Sequence, residues 1–182
     1  GTLAANASAG SPYSITVTAT DEHSATVTQS FSLTVTNPAP VATADTGVVD
    51  EDATLTVLVA AGVLSNDTDD DTRTVAGVVT GNVSGTSALN VGSALVGAYG
   101  TLTLAADGSY SYVADQTAAD ALELGATADD VFTYTVKDAQ NATAYATLTI
   151  TITGSNDVPV AVGTIADVTK VDTNVVSIAT AG

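Results

Sequence analysis

The sequence contains no cysteine, methionine or tryptophan, and aromatic residues make up only 4% of its 182 positions. Without cysteine, no disulfide can stabilise the fold, and no thiolate can serve as a nucleophile or a metal ligand. The core must therefore consist of aliphatic side chains with a few tyrosines and phenylalanines. Small extracellular domains that lack disulfides often use a bound metal ion instead.

Basic residues are almost absent: three Lys and Arg stand against 20 Asp and Glu, for a net charge of −17. Such a charge repels phosphates and anionic lipid surfaces, so we expect no nucleic-acid partner. No apolar run approaches the ~20 residues of a membrane span, so we expect no membrane insertion. A salt-rich habitat, in which an acidic surface keeps a protein soluble, is one explanation of the charge.

The chemistry needed for an enzyme is also scarce. The single histidine, His23, lies in a loop, and there is no cysteine with which it could form a nucleophilic pair. The acidic residues lie in loops without aromatic neighbours to bind a sugar ring, which argues against glycoside hydrolysis. We therefore expect a protein that is not an enzyme.

Threonine is the most conspicuous component, at 32 residues, and its branched Cβ favours pleated, half-buried strands. The pair Asp107-Gly108 between alternating apolar residues predicts a hairpin. Gly81–Gly97 predicts a long loop or an added hairpin, and Thr117–Leu124 a short helix. The seven predicted strands together indicate an all-β, immunoglobulin- or cadherin-like antiparallel sandwich; they are 41–46, 53–59, 73–80, 100–105, 109–114, 131–137 and 145–153.

Part of the sequence occurs twice. The segment from Tyr13 to Asp21, together with the strand that follows it, is repeated later in the chain from Phe132 to Asp138, again with a strand after it. The two aspartates, Asp21 and Asp138, are 117 residues apart. The linker Asn37–Pro40 is repeated at Asn156–Pro159. Repetition at this spacing predicts a tandem array of domains. The predicted units are the C-terminal part of one domain (1–37), a complete domain (38–157) and the first strands of a third (158–182).

Acidic loops converge in this arrangement. Asp67, Asp69 and Asp71 alternate along one loop, and carboxylates are ligands that Ca²⁺ prefers. Because successive loops of a sandwich alternate between its two ends, this loop should lie beside Asp138 and Asn37. An acidic turn that is merely solvated is the alternative. The candidate calcium ligands are Asn37, Asp67, Asp69, Asp71 and Asp138 at the first junction, Glu51, Asn156 and Asp157 at the second, and Asp21, which repeats Asp138.

Several motifs together resemble a known repeat. The stretches Gly100–Tyr112, Asp130–Asp138, Asp50–Asp52 and Asn66–Asp69 closely resemble the VCBS repeat. The flanking residues look like parts of dystroglycan-type cadherin-like repeats. The resemblance implies extender domains of large bacterial surface adhesins of the RTX type, with Ca²⁺ at the domain junctions. The sequence departs from the usual pattern in having Thr72-Arg73, rather than glycine, after the aspartate run.

We therefore expect an extracellular stalk segment of a bacterial cell-surface adhesin, made rigid by Ca²⁺ between neighbouring domains of the same chain and supporting adhesion and biofilm formation. Two alternatives stay open. Gly81–Gly97 could form a calcium-dependent site for a glycan or a protein. The strands predicted within 13–36 and at 160–165 and 174–179 could instead pair between molecules, which would give head-to-tail self-association.

Overall fold

The structure is a computed structural model that describes residue 4, residues 7–157, and the backbone of 170–171 and 175–176. It is an all-β fold with two short 3-10 helices, Ala7–Gly10 and Val59–Ala61. No helix in the described part of the chain is long and apolar enough to cross a membrane. The strands are β1 (Tyr13–Thr20), β2 (Thr26–Leu33), β3 (Asp45–Asp50), β4 (Thr54–Val57), β5 (Thr74–Thr80), β6 (Ala94–Val96), β7 (Thr101–Leu104), β8 (Tyr110–Val113), β9 (Thr127–Lys137), β10 (Thr143–Thr153), β11 (Lys170–Val171) and β12 (Val175–Val176).

Two four-stranded sheets form the main domain, with strand orders β3-β10-β9-β5 and β4-β8-β7-β6. Apolar and polar residues alternate along the strands, so each sheet turns one apolar face to the other. The ring of Tyr112 meets the ring of Phe132 edge to face across this core, at a centroid distance of 6.2 Å. The expected all-β sandwich is thereby confirmed. The sixteen core residues all lie between Val49 and Ile152.

Strand β3 differs from the prediction in position and direction. It runs from Asp45 to Asp50 rather than over 41–46, and it pairs with β10 in parallel, unlike the antiparallel pairs elsewhere in the two sheets. The residues before Asp45 are not part of β3, and one of them, Val41, forms an isolated antiparallel bridge with Thr68. Strand β3 therefore runs in the same direction as β10, with Asp45 opposite Leu148 and Asp50 opposite Thr153.

The segment Gly81–Gly97 contributes an eighth strand, β6, and a loop that lies on the outer surface of the sheet. The backbone N–H groups of Val83 and Ser87 donate hydrogen bonds to the hydroxyls of Thr133 and Thr135. Both threonines are buried as a result, although they point away from the core. The loop is thus part of the domain and covers a surface that a sandwich usually exposes.

The helix expected over Thr117–Leu124 is wrong, because the segment forms successive turns. The side chain of Ala119 is buried in the core, and the backbone N–H of Gly125 donates to the carbonyl of Gly154 at 2.8 Å. These contacts hold the segment against the end of β10. A regular helix of so few residues would gain too little from its own hydrogen bonds to replace them.

Strands β1 and β2 form a separate antiparallel ribbon, and β11 pairs with β12. Strand β12 lies within the predicted range 174–179, whereas the predicted strand 160–165 lies outside the described residues. The boundaries of the three predicted units remain predictions.

Asp130 connects the two sheets from within the core. Its carboxylate is 3% exposed and accepts hydrogen bonds from the backbone N–H groups of Ala98, Tyr99 and Gly100. It also accepts one from the hydroxyl of Tyr112, at 2.6 Å. The carboxylate thus organises the turn between β6 and β7, where backbone groups would otherwise be buried without partners.

Replacing this carboxylate should destabilise the domain strongly. We expect Asp130→Ala to lower the free energy of unfolding by about 3 kcal/mol or more, since it leaves several buried donors unpaired. Asp129→Ala is the matched control, because Asp129 is exposed and, among the described residues, its side chain only accepts a bond from the Thr151 hydroxyl. This substitution should cost less than about 1 kcal/mol. Urea unfolding in calcium-free buffer measures both, and equal losses would contradict this role of Asp130.

Candidate metal centre

Asp138 directly follows strand β9 and shapes the loop that leads into β10. Its Oδ1 accepts hydrogen bonds from the backbone N–H groups of Gln140 and Ala142, at 2.9 and 2.8 Å. Asn141 takes a left-handed conformation (φ 69°), which asparagine tolerates better than most residues. These bonds use one carboxylate oxygen and leave Oδ2 directed out of the loop. Asp138 as a whole is 3% exposed, so the surrounding residues restrict the orientation of its side chain.

Asp69 and Asp71 approach Asp138 from the loop between β4 and β5. One carboxylate oxygen from each of the three residues lies within 4.8 Å of the others. The backbone N–H of Asp71 donates to Asp69 Oδ1 at 3.2 Å, so the Asp69 side chain helps to shape its own loop. Its other oxygen, Oδ2, is buried and has no hydrogen-bond partner among the described residues. We name Asp69, Asp71 and Asp138 the first acidic site.

The linker that precedes the main domain reaches the same site. The side-chain amide of Asn37 donates to Asp138 Oδ2 at 2.6 Å. The hydroxyl of Ser8 in turn donates to the carbonyl oxygen of the Asn37 side chain at 3.2 Å. A chain of side-chain hydrogen bonds therefore runs from the segment before β1, through the linker, to the first acidic site.

Electrostatics at the first acidic site favour a cation. Partial desolvation, together with the neighbouring carboxylates of Asp69, Asp138 and Asp70, raises the pKa of Asp71. Carboxylates that are held together and partly removed from water repel one another, and a bound cation relieves this repulsion. The donors are all hard oxygens, and the orphaned Asp69 Oδ2 is available as one of them. The residues therefore fit Ca²⁺ and do not resemble a zinc site, for which nitrogen or sulfur ligands are typical.

Asp67 does not belong to this cluster, although the sequence placed it among the candidate ligands. Its side chain is turned into the domain, where Oδ1 accepts a hydrogen bond from the backbone N–H of Thr43 at 2.7 Å. The carboxylate also lies 3.3 Å from the hydroxyl of Tyr134. Burial raises the pKa of Asp67, and these hydrogen bonds oppose the rise. In this position Asp67 holds the start of the main domain against β9.

Asp45 and Tyr134 were not among the candidates from the sequence. The Tyr134 hydroxyl lies 2.8 Å from Asp45 Oδ2 and 2.8 Å from the carbonyl of Thr43. Since a tyrosine has a single hydroxyl proton, it cannot satisfy all of these acceptors at once. Burial raises the pKa of Asp45 to about 6; the nearby Asp67 carboxylate adds to the rise and the Tyr134 hydroxyl opposes it. No motif in the sequence singles out Asp45, which is followed by Thr46 and Gly47.

At the opposite end of the sandwich, Glu51 occupies a comparable position. It is 3% exposed, and its Oε1 accepts a hydrogen bond from the backbone N–H of Ser155. Its Oε2 has no partner in the described part of the chain. Asn156 and Asp157 follow directly and are exposed. Glu51 therefore lies against the exit linker, with one buried oxygen still free to bind a ligand.

The loop that begins at Asp21 has the same conformation as the loop that begins at Asp138, but it lies in different surroundings. Its Oδ1 accepts from the backbone N–H groups of His23 and Ala25, both at 2.9 Å, and Ser24 takes the same left-handed conformation as Asn141. Asp21 is exposed, however, and no second acidic loop lies beside it within the described residues. It provides an internal comparison for Asp138.

A profile of the bacterial cadherin-like domain matches residues 37–154. No curated protein matches the chain significantly. Among solved structures, the chain is similar to a nucleoside hydrolase-related hypothetical protein from Saccharophagus degradans that is described as associated with carbohydrate metabolism. The two are 13% identical with a TM-score of 0.38, over 65% of this chain and 26% of the other, so this chain matches about a quarter of that protein's length.

The raised pKa of Asp45 predicts a pH dependence of stability. The folded state holds a proton on Asp45 up to about pH 6, whereas the unfolded chain releases it near 3.8, the ordinary pKa of an aspartate. Because the folded state binds more protons within this window, the Asp45 contribution to the free energy of unfolding falls as the pH rises from about 4 to about 6. Asp45→Asn should reduce that fall by on the order of 1 kcal/mol, less than the full shift implies because Asp45 is only half-buried.

Urea unfolding at several pH values in calcium-free buffer measures this difference. Asp107→Asn is the control, because hydrogen bonds from Ser109 lower the pKa of Asp107. A carboxyl group with a lowered pKa stabilises the fold above its unfolded-state pKa, so removing it should not reduce the fall between pH 4 and 6. Identical pH profiles for wild type and Asp45→Asn would show that this interpretation is wrong.

Proposed function

The chain belongs to the bacterial cadherin-like domain family, and we propose that it is an extender segment of a secreted bacterial surface adhesin that Ca²⁺ makes rigid at the domain junctions. Membership of this family indicates an extracellular, adhesin-type or structural role. The finer assignment to large adhesins of the VCBS and RTX type, which support adhesion and biofilm formation, is part of the proposal. The absence of enzymatic activity is also part of the proposal.

The observation that carries the proposal is the meeting of three carboxylates from two loops with the linker residue Asn37. The carboxylates come from the main domain, while Asn37 comes from the chain that leads into it. An ion bound by the first acidic site would therefore lie beside the linker. Ca²⁺ takes six to eight oxygen ligands, for which both oxygens of a carboxylate, backbone carbonyls and waters are suitable.

Rigidity would follow from the charge balance. Without a cation, repulsion among Asp69, Asp71 and Asp138 favours any movement that separates their loops. With Ca²⁺ bound, the same carboxylates attract the ion, and opening the loops or releasing the linker would require its loss. The net charge of −17 acts in the same direction, since a repelling string of domains gains more from bound cations than a neutral one.

Glu51 supports a second ion at the exit linker. Its Oε1 accepts a hydrogen bond from the backbone N–H of Ser155, while its Oε2 is buried and has no partner among the described residues. Asn156 and Asp157, the two residues after Ser155, are exposed and have oxygen atoms suitable for Ca²⁺. One domain would then bear an ion at each end. A stalk built from such domains would be stiff in calcium and flexible in its absence.

The role of the first acidic site can be tested with the internal repeat. Calcium at about 100 times its dissociation constant should stabilise the chain by about 2.7 kcal/mol, and chelator should remove this gain. Asp138→Asn should lose most of it, whereas Asp21→Asn should keep it, because Asp21 has the same loop conformation but joins no cluster of carboxylates in the described part of the chain. Thermal unfolding and titration calorimetry with Ca²⁺ provide the measurement. Equal calcium responses in the two variants would exclude the first acidic site as the binding site.

Small-angle scattering tests the mechanical part of the proposal. We expect the maximum dimension of the 182-residue chain to be larger and better defined in calcium than in chelator, because a bound ion would restrict the linker. Asp138→Asn should remove the part of this change that the entry linker contributes, so its maximum dimension in calcium should be smaller than that of the wild type. If wild-type scattering does not respond to calcium although calorimetry detects binding, the ion would stabilise the domain without stiffening the chain.

A further inference from the structure

The single arginine of the chain lies at the same end of the sandwich as the first acidic site. Arg73 directly precedes β5, which begins at Thr74. Thr74 is paired with Lys137 at the end of β9, and the residue after Lys137 is Asp138. Because β5 and β9 are antiparallel, Arg73 and Asp138 are the residues just outside this last pair. The strand register therefore places Arg73 next to a residue of the first acidic site.

The alternation of side chains places Arg73 on the core-facing side of the sheet. Val75, two residues further on, is 3% exposed, and its partner Val136, two residues before Asp138, is 0% exposed. Residues two apart in a strand point to the same face. The side chains of Arg73 and Asp138 are thus directed to the same side of the sheet. Both are shielded from solvent, Asp138 almost fully and Arg73 in part.

The positive charge of Arg73 acts on this end of the domain without being paired there. Burial raises the pKa of Asp67, and the hydrogen bonds from Thr43 and Tyr134 and the charge of Arg73 oppose that rise. Arg73 forms no ion pair with any of the residues that the structure describes. Its Nε is buried and has no hydrogen-bond partner among them. Since a buried donor without a partner destabilises a fold, attraction to the nearby carboxylates is the interaction that favours this position.

Carboxylates outnumber cations around the first acidic site. Asp67 and Asp70 lie in the same loop as two residues of the site, so that this end of the domain is strongly acidic. The other nearby cation, Lys137, is on the outer face of the sheet, where it lines a groove together with threonine side chains. Among the described residues, Arg73 is therefore the cation that faces these carboxylates.

We propose that Arg73 is a built-in counter-ion, which lowers the calcium affinity of the first acidic site and partly balances its charge when no ion is bound. The inference rests on the proposed calcium function and names a residue that sets the strength of that binding. In the calcium-free protein, the guanidinium offsets part of the repulsion among the carboxylates. When Ca²⁺ binds, the same guanidinium repels the ion. Both effects reduce the free energy gained from binding.

A weakened site has a consequence for the stalk. Calcium sites are tuned by the charge of their ligands, and those of extracellular modules bind weakly, with dissociation constants of about 10⁻⁴–10⁻³ M. A fixed positive charge beside the carboxylates moves the first acidic site toward this end of the range. The linker residue Asn37, which contacts Asp138, would then be restrained only where calcium is plentiful.

Arg73→Gln distinguishes this role from a merely structural one, because two measurements should move in opposite directions. In titration calorimetry, the variant should bind Ca²⁺ at least about fivefold more tightly than the wild type, since the opposing charge is gone. In chelator, its melting temperature should be lower by about 3 °C, since the carboxylates lose their counter-ion. Arg73→Lys keeps the charge and should bind Ca²⁺ within about twofold of the wild type. Unchanged or weaker calcium binding by Arg73→Gln would overturn the proposal.

Lys137→Gln is the matched control. It removes the same charge from the residue beside Asp138, but on the outer face of the sheet. The calcium affinity of this variant should change by less than about twofold, because water screens a charge on that face. If both variants bind Ca²⁺ equally more tightly than the wild type, net charge rather than the position of Arg73 sets the affinity, and the proposal is wrong.

A double-mutant cycle in chelator tests the counter-ion role without calcium. The loss of melting temperature caused by Arg73→Gln should be about half as large in the Asp138→Asn background, since one of the attracting carboxylates is then absent. An equal loss in both backgrounds would overturn the counter-ion role. Wild-type protein that binds no Ca²⁺ would overturn the proposed function and the effect of Arg73 on affinity, whereas coupling in chelator would still support the counter-ion role. The two failures can therefore be told apart.

Discussion

The β9–β10 hairpin is the element on which the rest of the structure depends. Its two strands have 11 residues each, β3 and β5 pair with its two edges, and its inward residues form much of the core. Asp138, in its loop, is one of the carboxylates at the first acidic site, and Asp130, near its other end, organises the opposing sheet. The hairpin thus connects the core of the domain to the first acidic site, where the linker residue Asn37 also forms a hydrogen bond.

Aspartate has two distinct uses in this fold. At Asp130 and Asp67 the carboxylate is buried and accepts several hydrogen bonds from backbone and tyrosine donors, so it stabilises the packing of loops. At the first acidic site the carboxylates are close together and include an oxygen without a partner, which favours a cation. The difference lies in the number of donors that surround each oxygen. A chain with only three Lys and Arg residues cannot supply those donors from side-chain cations.

Much of the fold and part of the site could be predicted. Alternating Thr and Val, and the Asp107-Gly108 turn, placed most strands to within a few residues, because such patterns reflect one buried face. The rule that loops alternate between the ends of a sandwich placed Asp69, Asp71 and Asp138 at one end, where the structure brings them together. Asp67 was in the same run of residues but turns inward, since Thr43 and Tyr134 offer it hydrogen bonds that come from other parts of the chain.

The amino-acid sequence by itself determined the fold class, the repeated strand and linker units, the acidic charge and the absence of cysteine chemistry, because these follow from local patterns and composition. The tertiary structure decided which carboxylates meet, which are satisfied by hydrogen bonds, and where β3 begins. It also decided that residues 117–124 form turns and that the loop after β5 covers Thr133 and Thr135. These outcomes depend on contacts between residues far apart in the chain, whose energies exceed the weak local preferences that a sequence pattern reports.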